Sequence, residues 1–220
     1  MREKGEKIIF LHIPKTGGKT LRSIFERQHK GENIYQLRPR KVTNKHFIDL
    51  DEQERDQIDL LMGHMRFGLH QHFSGPAKYV AMVRHPLDRV VSLYYFAKKR
   101  PLHRLNATIR NENWSLHDLV ESTHGGDIHN GQTRIIAGQE GGHKMLLEAA
   151  KKNIENDFLA TGLMDRFDES LLVYQNSLGW KTPVYERQHV NAKRKPTTEI
   201  DEATKPLILE HNPADLALDA

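Results

Sequence analysis

Lys7–Thr20 reads KIIFLHIPKTGGKT. The apolar run Ile8, Ile9, Phe10, Leu11 and Ile13 predicts a buried strand. The run stops at Pro14, passes through Lys15-Thr16-Gly17-Gly18, and enters a segment with Leu21, Ile24 and Phe25 on one helical face. A strand, a Gly-rich turn and a helix N-terminus make an anion site, because free backbone N–H groups and the positive end of the helix dipole point into the turn. The glycines let backbone approach the anion, and Lys15 adds a mobile cation. The stretch therefore predicts a bound phosphate or sulfate group, with Lys15, Thr16, Gly17, Gly18, Lys19 and Thr20 around it.

The rival is a nucleoside-triphosphate loop, which needs G-x-x-x-x-G-K-[ST]. Gly18-Lys19-Thr20 supplies its second half, but the first glycine would have to stand at Ile13. Ile13 followed by Pro14 is a poor substitute for a residue that must turn freely. A plain strand-to-helix turn is the other alternative.

Lys78–Lys98 repeats the grammar: KYVAMVR is a strand, His85-Pro86 a turn, and LDRVVSLYYFAKK a helix. Proline suits the first helical turn. Arg84 then stands at the C-terminal end of a strand, where open α/β sheets bind ligands. Ser92 follows about two turns into the helix. An arginine and a hydroxyl converging on one spot would clamp a second phosphate. The plainer alternative is that Arg84 pairs with a carboxylate and Ser92 packs a helix.

Together these residues resemble the family 2 sulfotransferases. HIPKTGG is similar to their 5′-phosphosulfate loop, and RHPLDRVVSLYYF to their 3′-phosphate segment. LLMGHMRFG resembles the Gly-His segment that carries their catalytic histidine, which falls here on His64. HNGQTRIIAG resembles a mid-chain segment of the bacterial members, and FLATGLMDRFDESLLVY the strand and helix before the last loop. The likeness is greatest to the heparan/uronyl 2-O-sulfotransferase type and its bacterial relatives, and it covers most of the chain. Two departures are Lys19, where threonine is more usual, and the terminal DLALDA, which reads as a shortened end. The resemblance implies a P-loop-like α/β fold, a mostly parallel sheet flanked by helices. It implies 3′-phosphoadenosine 5′-phosphosulfate (PAPS) as donor, a carbohydrate or polysaccharide hydroxyl as acceptor, and no metal. It also implies that a loop after the last strand covers the nucleotide, which brings in Asn191, Lys193 and Arg194 of RQHVNAKRK.

Composition agrees with a soluble globular chain long enough for one sizeable core: 220 residues, 37% hydrophobic and 28% charged. One domain over 1–220 is expected. No apolar run reaches the length of a membrane span, and MREKGEKIIF lacks signal-peptide character. The absence of cysteine excludes disulfides and thiol chemistry and suits a reducing compartment, so a cytoplasmic location is expected. A net charge of +4 favours anionic ligands but is too modest to argue for nucleic acid.

Strands are expected over Lys7–Ile13, Ile58–Gly63, Lys78–Arg84 and Phe158–Leu163, and a fifth over Pro183–Arg187. Helices are expected over Lys19–His29, Leu87–Lys99, Ser115–Ser122, Lys144–Asn156, Asp165–Ser177 and Lys205–Glu210. The alternation predicts a mostly parallel sheet covered on both faces. The polar stretch 100–142 reads as an excursion that shapes the acceptor side.

Sulfuryl transfer needs a base for the acceptor proton and cations for the charge that grows on the leaving phosphate. Fourteen histidines make the choice of base a real one. His64 follows a strand, and an imidazole titrating near neutrality suits an alcohol. Lys15 is the first candidate for leaving-group stabilisation and Lys19 the second. His12 and His85 read as structural or capping residues. His64, His70 and His72 lie close in sequence, but no Cys, H-E-x-x-H or spaced acid accompanies them, so no metal site is expected. Arg66, His70 and Arg100 are the candidates for contacting an acidic acceptor, against the alternative of a solvated charged face. Two other classes compete: a kinase or NTPase, betrayed by Mg²⁺-dependent ATP turnover, and a non-catalytic nucleotide- or glycan-binding module, betrayed by binding without transfer.

Overall fold

In a computed structural model, which describes residues 2–3, 5–122, 126–185, 197 and 200–219, the opening apolar run becomes the central strand of a five-stranded sheet. β1 (Lys7–Leu11) pairs in parallel with β3 (Leu60–Gly63) on one side and β4 (Ala77–Val83) on the other. β2 (Ile34–Gln36) extends the sheet beyond β3, and β5 (Phe158–Leu163) beyond β4, again in parallel. The order is β2-β3-β1-β4-β5.

Parallel neighbours need crossover connections, and helices supply them. α1 (Gly18–Gln28) follows β1; α2 (Asn44–Ile48) and α3 (Glu52–Asp56) lie between β2 and β3. Between β4 and β5 run α4 (Pro86–Lys99), α5 (Asn106–Asn111), α6 (Leu116–Glu121), α7 (Gly131–Ala137) and α8 (His143–Asp157). After β5 come α9 (Phe167–Leu178), α10 (Thr204–Glu210) and α11 (Pro213–Asp219).

Side chains of a strand alternate between faces, and β1 buries both. Ile8 and Phe10 pack with Leu21, Ile24 and Phe25 of α1 and with Leu171 and Tyr174 of α9. Ile9 and Leu11 pack with Ile136 of α7 and with Leu146 and Ala150 of α8. A strand covered on two sides has no solvent face, which is why its sequence reads as an unbroken apolar run. No helix among the described residues is long and apolar enough to cross a membrane.

The structure departs from the sequence reading in several places. β1 ends at Leu11, so His12 and Ile13 already belong to the loop, although the His12 N–H still donates to the Gly63 carbonyl at 3.0 Å. No strand covers residues 183–185, and 186–187 lie outside the described residues. Stretch 100–142 is more than a polar excursion: it folds into α5, α6 and α7. Leu105, Ile109, Leu116, Leu119, Val120 and Ile128 there close a core with Val90 and Val91 of α4 and Ile208 of α10.

β1 is flanked by β3 on one side and β4 on the other, and the chain reaches them by connections that leave in opposite directions. Such a switch point opens a crevice at the carboxyl ends of the strands. The loop 12–17 lies in it.

Candidate active site

The loop owes its shape to its own residues. Thr16, 1% exposed, donates its hydroxyl to the Ile13 carbonyl at 2.9 Å, so that side chain holds the turn instead of reaching outward. Lys15 sits in the left-handed region at φ 73°, a conformation that costs a non-glycine residue on the order of 1–2 kcal/mol and recurs at functional turns. Gly18 lies against the His12 ring, so a Cβ there would overlap the imidazole. Among the described residues, no side-chain cap bond closes the N-terminus of α1 at Gly17. Its first-turn N–H groups are the ones a helix leaves without intrahelical acceptors.

On one side of the loop stands α4. Asp88, Ser92 and Phe96 recur every four residues, and that spacing lines them along one helix face, with Arg100 just past the helix end. Arg84, just before the helix, pairs with Asp88 Oδ1 at 3.2 Å and donates to the Lys15 carbonyl at 3.3 Å. The Lys15 ammonium lies 4.2 Å from the centre of the Phe96 ring, and the Arg100 guanidinium 5.5 Å from the same ring. The two phosphate motifs of the sequence thus meet: Arg84 and Phe96 bracket the loop, with half-buried Ser92 between them along the face. The carboxylate alternative for Arg84 is what the structure displays, since Asp88 is its partner. Phe96 is a site residue that the sequence reading missed; its only signal is the four-residue step beyond Ser92.

On the other side stands His64. Gly63, at φ 147°, brings the end of β3 so close to Leu37 that a side chain would collide with it. His64 follows at once and is exposed. Its Nδ1–H donates to the His12 carbonyl at 2.8 Å. That bond fixes the tautomer and leaves the Nε2 lone pair for a proton. Protein packed around the ring holds its pKa below the ordinary 6.5, while the His12 carbonyl and the charge of Asp127 oppose the shift. His64 lines a cleft of about 480 Å³ together with His12, Lys19, Arg22 and Arg38. Arg38 is steadied by Gln36 Oε1 at 3.1 Å, and Arg22 by Glu26 at 3.5 Å.

The His12 ring stacks on Phe10 at 5.6 Å and meets the His64 ring at 4.2 Å, tilted by 32°. Burial, then the positive charges of His64, Arg22 and Lys15, lower its pKa from 6.5 to about 3. It is a neutral wall of the site. Between pH 6.5 and about 3 the unfolded chain holds a proton here that the folded protein refuses. The stability His12 contributes is therefore complete above pH 6.5 and is lost as pH falls toward 3. Urea unfolding of His12→Phe should show a shallower loss of stability over that window than the wild type; equal slopes would remove His12 as the source.

Neither Arg66 nor His70 lines the cleft. Arg66 pairs with Glu140 at 2.7 Å. His70 Nδ1 lies 3.1 Å from Tyr79 Oη, and its ring 4.8 Å from that of Phe67. Burial pushes the Tyr79 phenol up to about 12, so it remains protonated. Lys19 faces the His64 cleft. Asn191, Lys193 and Arg194 lie outside the described residues. Among the described residues, no group of three or more His, Asp or Glu side chains is placed to hold a metal ion.

The chain belongs to the sulfotransferase family, whose model matches residues 1–192. Among solved structures it is similar to the mouse sulfotransferase SULT7A1, which was crystallised with PAP: 14% identity over 94% of this chain, with a TM-score of 0.47. The chain spans 63% of the length of that structure. No curated protein matches it.

Proposed function

We propose that this chain transfers a sulfuryl group from PAPS to a hydroxyl of a carbohydrate acceptor. One observation carries the reading: a single loop holds Arg84 through the Lys15 carbonyl and orients the His64 imidazole through the His12 carbonyl. The residues fit such a donor. An uncapped helix start, the close approach at Gly18, the Lys15 ammonium and the Arg84 guanidinium are donors and cations for an anion with two phosphate-type groups.

The donor, when bound, supplies an activated sulfuryl group. His64 takes the acceptor proton at Nε2, and the resulting imidazolium is stabilised by the His12 carbonyl and the Asp127 charge. Lys15 places a cation beside the loop N–H groups, where charge on the leaving phosphate would grow. Lys19, Arg22 and Arg38 along the cleft suit an acceptor bearing carboxylate or sulfate, in line with the resemblance to the uronyl 2-O type.

Incubation with isotopically labelled PAPS and a panel of neutral and acidic glycans, read by mass spectrometry, tests the reading. Label on a glycan supports it; PAP binding with no transfer to any glycan would favour a binding module, and Mg²⁺-dependent ATP turnover a kinase. A second measurement tests the two-clamp geometry. The chain should bind adenosine 3′,5′-bisphosphate at least about tenfold more tightly than AMP, and Arg84→Ala should abolish most of that difference, since one charge-assisted hydrogen bond contributes about 1.5–3 kcal/mol. Calorimetry giving equal affinities for the two nucleotides in the wild type would end the two-clamp reading.

A further inference from the structure

We infer that Gln132 is a positioning residue for 3′-phosphate recognition, and that it ties α11 to the nucleotide site. The inference rests on the reading of Arg84 as the 3′-phosphate residue. The ladder of β4 with β1 ends at Ala81, and its ladder with β5 at Val83. The main chain of Arg84 therefore emerges with no strand beside it, and buried backbone groups need partners. The Gln132 carboxamide supplies both. Arg84 N–H donates to Gln132 Oε1 at 2.8 Å, and Gln132 Nε2 donates to the Arg84 carbonyl at 2.7 Å.

A side-chain amide carries a donor and an acceptor side by side in one plane, as a neighbouring strand would. Glutamate has the same shape but, ionised, only accepts. Gln132 is 0% exposed, so nothing from solvent replaces it. It thereby sets the direction in which Arg84 leaves the sheet toward Asp88 and the Lys15 carbonyl.

Gln132 is itself held from the far end of the chain. Asp215, on α11, accepts from the N–H groups of Gln132 at 3.2 Å and Thr133 at 2.8 Å, and from the Thr133 hydroxyl at 2.8 Å. In return Asn130 Oδ1 accepts from the N–H groups of Ala214 at 2.8 Å and Asp215 at 3.1 Å. Each helix start is capped by the other's carbonyl or carboxylate oxygen, and Asn130, Gln132, Thr133 and Asp215 are all buried. α11 lies beyond the residues matched by the family model, 1–192. Through Asp215 and Gln132 it nonetheless reaches Arg84.

Calorimetry on the whole chain with adenosine 3′,5′-bisphosphate and with AMP tests this. The wild type must first prefer the bisphosphate; if it does not, the reading of Arg84 fails and the role of Gln132 fails with it. Given the preference, Gln132→Glu and Gln132→Ala should lose about tenfold for the bisphosphate while AMP binding stays within about twofold. In turnover, KM for PAPS should rise by a similar factor with kcat little changed. A retained preference, or an equal loss for both nucleotides, would overturn the positioning role while leaving Arg84 intact. Should neither variant fold, hydrogen exchange at the wild-type Arg84 amide decides: it should slow further with the bisphosphate and not with AMP, and equal slowing by both would overturn the inference.

Discussion

His64→Ala should lower turnover by about 10²–10⁴ while leaving the affinity for adenosine 3′,5′-bisphosphate nearly unchanged. Two features of the structure separate these effects. The imidazole lines the cleft with His12 and Lys19, and Arg84, Ser92 and Phe96 are not part of that lining. It is also built as a base: the bond from Nδ1 to the His12 carbonyl keeps the lone pair on Nε2. Because the protein packed around the ring lowers the His64 pKa, the acidic limb of the rate profile should lie below pH 6.5. The sign follows from the role: a base works when neutral, and a lowered pKa keeps it neutral to lower pH. Steady-state rates across pH, beside calorimetry on the same variant, check both parts. Near-normal turnover in His64→Ala would move the proton acceptor elsewhere. His12 could not replace it easily, since a group with a pKa of about 3 is too weak a base.

Much of the frame was legible because burial on both faces writes itself as apolar runs, as in β1 and over Tyr79–Val83 of β4. Both strand-to-helix turns were legible because a turn needing glycine or proline leaves few residue choices. What escaped was what depends on distant contacts. β2 is three residues long, too short for a period to appear. α7 starts at Gly131, a weak helix former; Asp215, more than eighty residues away, caps it. Phe96 was passed over because nothing local says that a lysine from the β1 loop will rest on its ring. Gln132 sat within a recognised motif, yet its role needs the end of the β4 ladder, which only topology reveals. Arg66 and His70 look available in sequence, and the structure gives each a close partner, Glu140 or Tyr79.

Lys15→Ala should cut the single-turnover rate at saturating PAPS by about 10²–10³, the cost of a lost oxyanion donor, and should weaken nucleotide binding far less. The ammonium lies 4.2 Å from the Phe96 ring, and Arg84 anchors the carbonyl of the same residue, so the cation is held at the loop before any ligand arrives. A cation set where negative charge develops helps the transition state more than the bound donor. Lys15→Arg should recover only part of the rate, because a planar guanidinium does not replace a compact ammonium in a tight turn. Backbone strain offers a competing cause, since residue 15 is left-handed. Lys15→Gly separates the two: glycine relieves the strain but carries no charge. Glycine and alanine variants that are equally slow assign the loss to the missing cation. A glycine variant restored toward wild-type rate would assign it to the turn. An alanine variant that loses affinity yet keeps its saturated rate would reduce Lys15 to a binding residue and leave Lys19, on the cleft side, as the cation to test next.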